Sequence, residues 1–172
     1  MNILLKNEQI QEMRELQRVL DERIRENNGI DKETDLNLEK YIALKTELFE
    51  FVNEIESFKY WKKNKGKAHI LEEACDTLHF ILSLAIDNDV ELEMDENSVS
   101  EQKLDEYNLN DLIGITDAMI SDTFISGDWK NLEGVLTFLC VILKICGFDP
   151  DDLYNAYISK NKVNHKRQDN NY

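Results

Sequence analysis

Glu47, Glu50 and Glu54 recur at i, i+3 and i+7, and Glu73 and Asp76 repeat the i, i+3 step in the next apolar-periodic segment. On a helix with Glu47 at zero, Glu50 projects at about −60° and Glu54 at about −20°. Leu44, Leu48, Phe51, Ile55 and Phe58 spread over about +20° to +100°. The three acids therefore form a strip beside the apolar stripe, while Glu56 points the opposite way, as a solvating acid does. With Glu73 at zero, Asp76 lies at about −60° and Phe80 at about −20°. Ile70, Ala74, Leu78, Ile81 and Ala85 cover about +60° to +140°. Like charges one turn apart repel, and along a core margin they call for a cation. If the two helices are antiparallel neighbours, Glu47, Glu50, Glu73 and Asp76 face one another. Hard oxygen donors without His or Cys suit Mg²⁺ or Mn²⁺. With 35 acids in 172 residues, one such pair arises by chance; two on consecutive core margins make a candidate metal site.

The bases stand elsewhere. Lys59, Lys62, Lys63, Lys65 and Lys67 form one cluster, and Lys160, Lys162, Lys166 and Arg167 a second. A polyphosphate needs such side chains as well as a metal, which leaves the terminal oxygens uncompensated. Lys160, Asn164 and Arg167, at i, i+4 and i+7, would share one helical face. The plainer reading of both clusters is a solvated loop and a frayed tail. No Ser/His/Asp or Cys/His arrangement suggests a covalent nucleophile. Of the three histidines only His79 lies inside an acidic motif, where it reads as a core residue or a support behind the acids.

The elements that must position these groups are helical. Ile10, Met13, Leu16, Leu20 and Ile24 mark a helix over 7–26, stopped by Asn27-Asn28-Gly29. A second, capped by Thr34 or Asp35, carries Tyr41, Leu44, Leu48, Phe51, Ile55 and Phe58; a third carries Ile70 to Ala85. Further helices are expected over 109–124 and 129–146, with Gly147 as a C-terminal cap. Asp149-Pro150 starts a last one that reaches Tyr157 and runs toward a polar tail. The segment 87–106 holds nine acids and one base, and reads as an exposed connection or arm. The fold class is all-α: one domain over 1–172, a bundle of five or six helices with an acidic inserted arm. One Pro and six Gly are too few for a many-turned β chain.

A formal net charge of −15 argues against duplex nucleic acid and anionic membranes as partners. Three cysteines without a CxxC pair argue against a disulfide framework or zinc site. The longest apolar stretch, 135–143, is too short to span a bilayer, and the first residues lack a signal-peptide pattern, so a cytoplasmic protein is expected.

Glu47-Leu-Phe-Glu50 with Asn53-Glu54, then Phe58-Lys59-Tyr60-Trp61, then Glu72-Glu73-Ala-Cys-Asp76-Thr-Leu-His79-Phe80, resembles the dimeric all-α dUTPases of the MazG-like NTP pyrophosphohydrolase superfamily, found in bacteria and phages. The tail from Tyr157 through Lys160, Asn164, Arg167 and Gln168 to Tyr172 is similar to that family's terminal motif, and Gln17-Arg-Val-Leu20-Asp21 to its first helix. The resemblance implies Mg²⁺-dependent hydrolysis of dUTP, and of dUDP, to dUMP through a metal-activated water, limiting uracil incorporation into DNA. It implies Glu47, Glu50, Glu73 and Asp76 as Mg²⁺ ligands, Mn²⁺ substituting, with Glu47 or Glu50 also orienting or deprotonating the water. Lys160, Arg167 and Tyr172 would hold the phosphates. Asn164, Gln17, Trp61 and Phe80 would form the nucleoside pocket, Phe80 as part of the wall at the 2′ position. A homodimer in the bacterial cytoplasm, phage-encoded or cellular, is the implied setting. Two alternatives stay open: a related pyrophosphohydrolase of another dNTP such as dCTP, and a phage helical protein that also binds a repressor through the acidic arm.

Overall fold

Apolar residues at helical spacing set the elements. The computed structural model describes residues 3–63, 68–95, 98–99, 104 and 106–169, and among them there are six α-helices and no strand. They are α1 (Asn7–Asn27), α2 (Asn37–Ile55), α3 (Ile70–Asp87), α4 (Leu109–Ser126), α5 (Leu132–Ile145) and α6 (Pro150–Asp169). A 3₁₀ turn, Trp129–Asn131, leads into α5, which therefore starts later than the sequence pattern suggests. The all-α bundle is the architecture found.

α3 sits at the centre, against α1, α2, α5 and α6. Its stripe Ile70, Ala74, Leu78, Ile81 and Ala85 is buried, and so are Cys75, Leu82 and Leu84, because neighbours cover it on several sides. α2 brings Leu44, Leu48, Phe51, Val52 and Ile55 to this core, and α1 brings Ile10, Met13 and Leu20. α2 and α3 run antiparallel. Asn37 and Asn88 exchange side-chain amide bonds of 3.3 and 2.8 Å at one end, and Glu47 meets Glu73 and Asp76 toward the other.

Several helix ends differ from expectation. The Asn37 N–H donates to Asp35 Oδ1 at 2.9 Å, but Leu36 holds the cap position, after both Thr34 and Asp35. α2 stops where Glu56 turns left-handed at φ 58°, its carboxylate held by Lys59 and Lys62 at 3.0 and 2.6 Å. Phe58 thus leaves the α2 stripe and is exposed. α4 is capped by Asn108, whose Oδ1 accepts from Asn110 and Asp111, and closes on Gly127 at φ 72°, where a Cβ would strain the backbone. α6 begins at Pro150 and is one continuous helix to Asp169, with Leu153, Tyr157 and Asn161 buried.

The acidic segment is not wholly an exposed arm. After the turn at Asn88 and Asp89, the chain lays Leu92 and Met94 into the core. The Asn7 side chain clamps the Met94 backbone, accepting its N–H at 2.9 Å and donating to its carbonyl at 3.3 Å. Ile3, Leu4 and Leu5 are buried as well. The apolar circumference of α5 is met inside the chain: Val135, Leu136, Leu139, Val141, Ile142 and Leu143 are buried, with Phe138 and Ile145 partly so. Among the described residues no single helix is long and apolar enough to cross a membrane.

Candidate active site

The antiparallel pairing of α2 and α3 brings their acidic strips together. Carboxylate oxygens of Glu47, Glu73 and Asp76 all lie within 4.8 Å of one another, each residue half-buried. Glu50 is exposed beside them, lining an outer groove with Glu54 and Glu73. Burial, then repulsion from Asp76, Glu50 and Glu73, pushes the Glu47 carboxyl up to about 7, although Lys160 acts the other way. Glu73 is raised by burial and by Asp76, Glu50 and Glu72. The cluster holds more negative charge than its surroundings balance. All its donors are hard oxygens, so the residues fit a divalent ion of the Mg²⁺ type.

Across from the acids stands α6. Lys160 Nζ donates to Asp76 Oδ2 at 2.7 Å and to Glu72 Oε1 at 3.2 Å. Burial disfavours its ammonium, but these two partners outweigh that and hold the pKa above the usual lysine value. One and two turns on, Asn164 and Arg167 line an inner cavity of about 370 Å³, and Arg167 Nη1 donates to Asn164 Oδ1 at 3.3 Å. α1 adds Gln17, Leu20, Asp21 and Ile24 to that cavity, α2 adds Lys40 and Glu47, and α3 adds Asp76, His79, Phe80 and Ser83. The candidates Gln17, Phe80, Asn164 and Arg167, from three helices, thus share one space with two of the acids, Glu47 and Asp76.

Not every candidate joins it in the same way. Gln17 is buried with both amide atoms engaged: Nε2 donates to Asp21 Oδ1 at 2.7 Å, while Oε1 accepts from Tyr157 Oη at 2.8 Å and meets His79 Nδ1 at 2.6 Å. With the amide so oriented, His79 carries its proton on Nδ1 and leaves Nε2 a bare acceptor. His79 is only 6% exposed, stacks on Tyr157 with centroids 4.4 Å apart, and is kept neutral by burial, which lowers its pKa to about 3. Trp61, 65% exposed in the turn after α2, packs edge-on to Phe58 and Tyr60 and is not among the residues lining the cavity. Tyr172, Lys65 and Lys67 lie outside the described residues. Asp21, Lys40 and Ser83 were not picked out from the sequence, although spacing marks them. Asp21 is i+4 from Gln17, Lys40 is i−7 from Glu47, and Ser83 is i+7 from Asp76.

Clustered carboxylates on two helices, cations on a third and a half-open cavity beyond make an arrangement suited to a metal-bound polyphosphate. No curated protein matches the chain, whereas a family model described as dUTPase matches residues 9–172. That match runs from α1 through both acidic strips to the cationic face of α6, so the chain belongs to the dUTPase family, the enzymes that hydrolyse dUTP to dUMP.

Proposed function

We propose that dUTP hydrolysis by this chain depends on Mg²⁺, held by Glu47, Glu50, Glu73 and Asp76, with Mn²⁺ as a substitute, and that dUDP is also accepted. The observation that carries this reading is the convergence of Glu47, Glu73 and Asp76, with Lys160 bonded to Asp76 and Arg167 lining the adjoining cavity. When bound, the ion supplies neutralisation of phosphate oxygens and a lowered pKa for an attacking water. The chain's own residues do the rest. Lys160 sits against Asp76, where it can exchange a carboxylate for a phosphate oxygen. Arg167 offers a planar pair of donors to the phosphate chain, and the resemblance assigns Tyr172 to the same task. Glu47 lines the cavity beside the other acids, where its carboxylate is placed to orient or deprotonate the water. Exposed Glu50 is the lesser candidate for that role. Phe80 walls the sugar and Asn164 fixes the nucleotide, while Gln17 acts by holding His79 and Asp21 in place.

The resemblance supports a homodimer, and a stripe of exposed apolar residues on α2 supports it physically: Leu38, Ile42 and Phe49 share one face. Work in the bacterial cytoplasm, in a cellular or phage-encoded enzyme, fits three buried free cysteines.

The test is pyrophosphate release from each dNTP, with and without Mg²⁺, by the wild-type chain and by Glu73→Ala. Release from dUTP should require Mg²⁺. The variant should lose at least roughly a hundredfold in rate, beyond the loss typical of residues behind metal ligands, with helical circular dichroism unchanged. Full activity in Glu73→Ala would remove the site, and faster turnover of dCTP than of dUTP would move the enzyme to another substrate.

A further inference from the structure

Lys160 is seated on the acidic cluster itself. Its Nζ, carried by α6, donates to Asp76 Oδ2 at 2.7 Å and to Glu72 Oε1 at 3.2 Å. Asp76 belongs to the cluster, with an oxygen within 4.8 Å of oxygens of Glu47 and Glu73. Glu72 stands outside it, its side chain 54% exposed against 23% for Asp76. The ammonium thus bridges an inner acid and an outer one, a single turn apart on α3. A salt bridge that merely pinned α6 to α3 would need only Glu72. Instead the ammonium is drawn inward, its side chain 15% exposed, onto a residue of the cluster.

The inner contact conflicts with a divalent ion. Mg²⁺ takes oxygen ligands at about 2.0–2.1 Å. An ion on the Asp76 oxygen that accepts from Lys160 would stand less than about 5 Å from Nζ. Two cations so close repel, and a half-buried site screens that repulsion poorly. The outer contact offers a way out. Glu72 faces solvent, so Lys160 can keep it while releasing Asp76, and an exposed pair of that kind costs little to rearrange. A phosphate oxygen arriving at the cluster gives the ammonium a new partner and leaves Asp76 to the metal.

We propose that Lys160 is a placeholder cation: its ammonium occupies Asp76 and weakens the cluster for a divalent ion until a polyphosphate draws it away. Metal and nucleotide binding are thereby coupled through one side chain, and the coupling is reciprocal. The inference rests on the Proposed function reading that Glu47, Glu73 and Asp76 hold the ion and that Lys160 meets the phosphates.

The experiment measures Mn²⁺ binding to the full-length chain from the electron paramagnetic resonance signal of the free ion. It is run with Mn²⁺ alone and with a non-hydrolysable α,β-imido analogue of dUTP. With Mn²⁺ alone, Lys160→Met should bind the ion at least roughly tenfold more tightly than the wild type, a factor in the range usual for coupled sites. The tightening that the analogue produces should shrink by the same factor. Lys162→Met removes an equal charge from an exposed position on α6 and should shift the affinity by less than about twofold, as a screened surface charge does. Unchanged or weaker Mn²⁺ binding in Lys160→Met, equal tightening in Lys162→Met, or undiminished coupling to the analogue would each overturn the proposal. If Lys160→Met melts too low to assay, Lys160→Gln replaces it under the same criteria. Glu73→Ala separates the two readings. Mn²⁺ affinity that survives in that variant refutes the metal site itself, whereas affinity that depends on Glu73 but ignores Lys160→Met refutes only the placeholder.

Discussion

A half-buried carboxyl that faces other carboxylates destabilises the fold when it ionises. Glu47 is in this position, its pKa lifted from 4.5 to about 7. The folded chain therefore holds this proton more tightly than the unfolded chain. The resulting stability is full below about 4.5 and is lost as pH rises through about 7. In EDTA the melting temperature should fall between about pH 5 and 8, and Glu47→Gln should flatten that fall. Added Mg²⁺ should raise the melting temperature more at the alkaline end, where the carboxylates are charged; scanning calorimetry with and without the ion checks both. A flat EDTA profile for the wild type would contradict the crowding of these acids. At this scale the angular position of Glu47 relative to Leu44 and Leu48 was legible, because helical pitch alone sets it. The occupation of the Gln17 amide by Asp21, His79 and Tyr157 was not, because two of its three partners, His79 and Tyr157, come from other helices.

Among the elements, the stretch after α3 shows where pattern reading fails. Its acids dominate the composition, yet Leu92 is fully buried and Met94 nearly so. Two apolar residues in an extended strap have no helical period to betray them, and their burial depends on Asn7 clamping the Met94 backbone. Leu92→Ala should cost about 2–5 kcal/mol of unfolding free energy, the range for a core leucine, measured by urea titration. A loss within the noise of a surface substitution would return the strap to solvent. The end of α2 has a similar lesson. Phe58 continues the stripe on a helical wheel, but the left-handed Glu56, tied to Lys59 and Lys62, stops the helix first. α6 was easier to read, since Pro150 fixes its start and the spacing of Lys160, Asn164 and Arg167 holds along a continuous helix.

For the whole molecule, the apolar residues left over after the core is filled matter most. α5 finds its partners inside the chain, so its composition does not demand a second copy. The exposed stripe Leu38, Ile42 and Phe49 does ask for cover. Light scattering should return a dimer for the wild type and a monomer for Ile42→Asp, with the melting temperature of the isolated chain little altered, because Ile42 is not part of the core. A monomeric wild type would remove this assignment. The sequence by itself determined the helical class, the two acidic strips and the cationic face of α6, since each depends only on the residues of one helix and the 3.6-residue period. Only the tertiary structure decided that α2 and α3 run antiparallel, that their acids meet, and that α1 and α6 join them around one cavity. Those facts depend on which helix faces are covered and by what, and contacts between residues far apart in the chain leave no periodic trace in it.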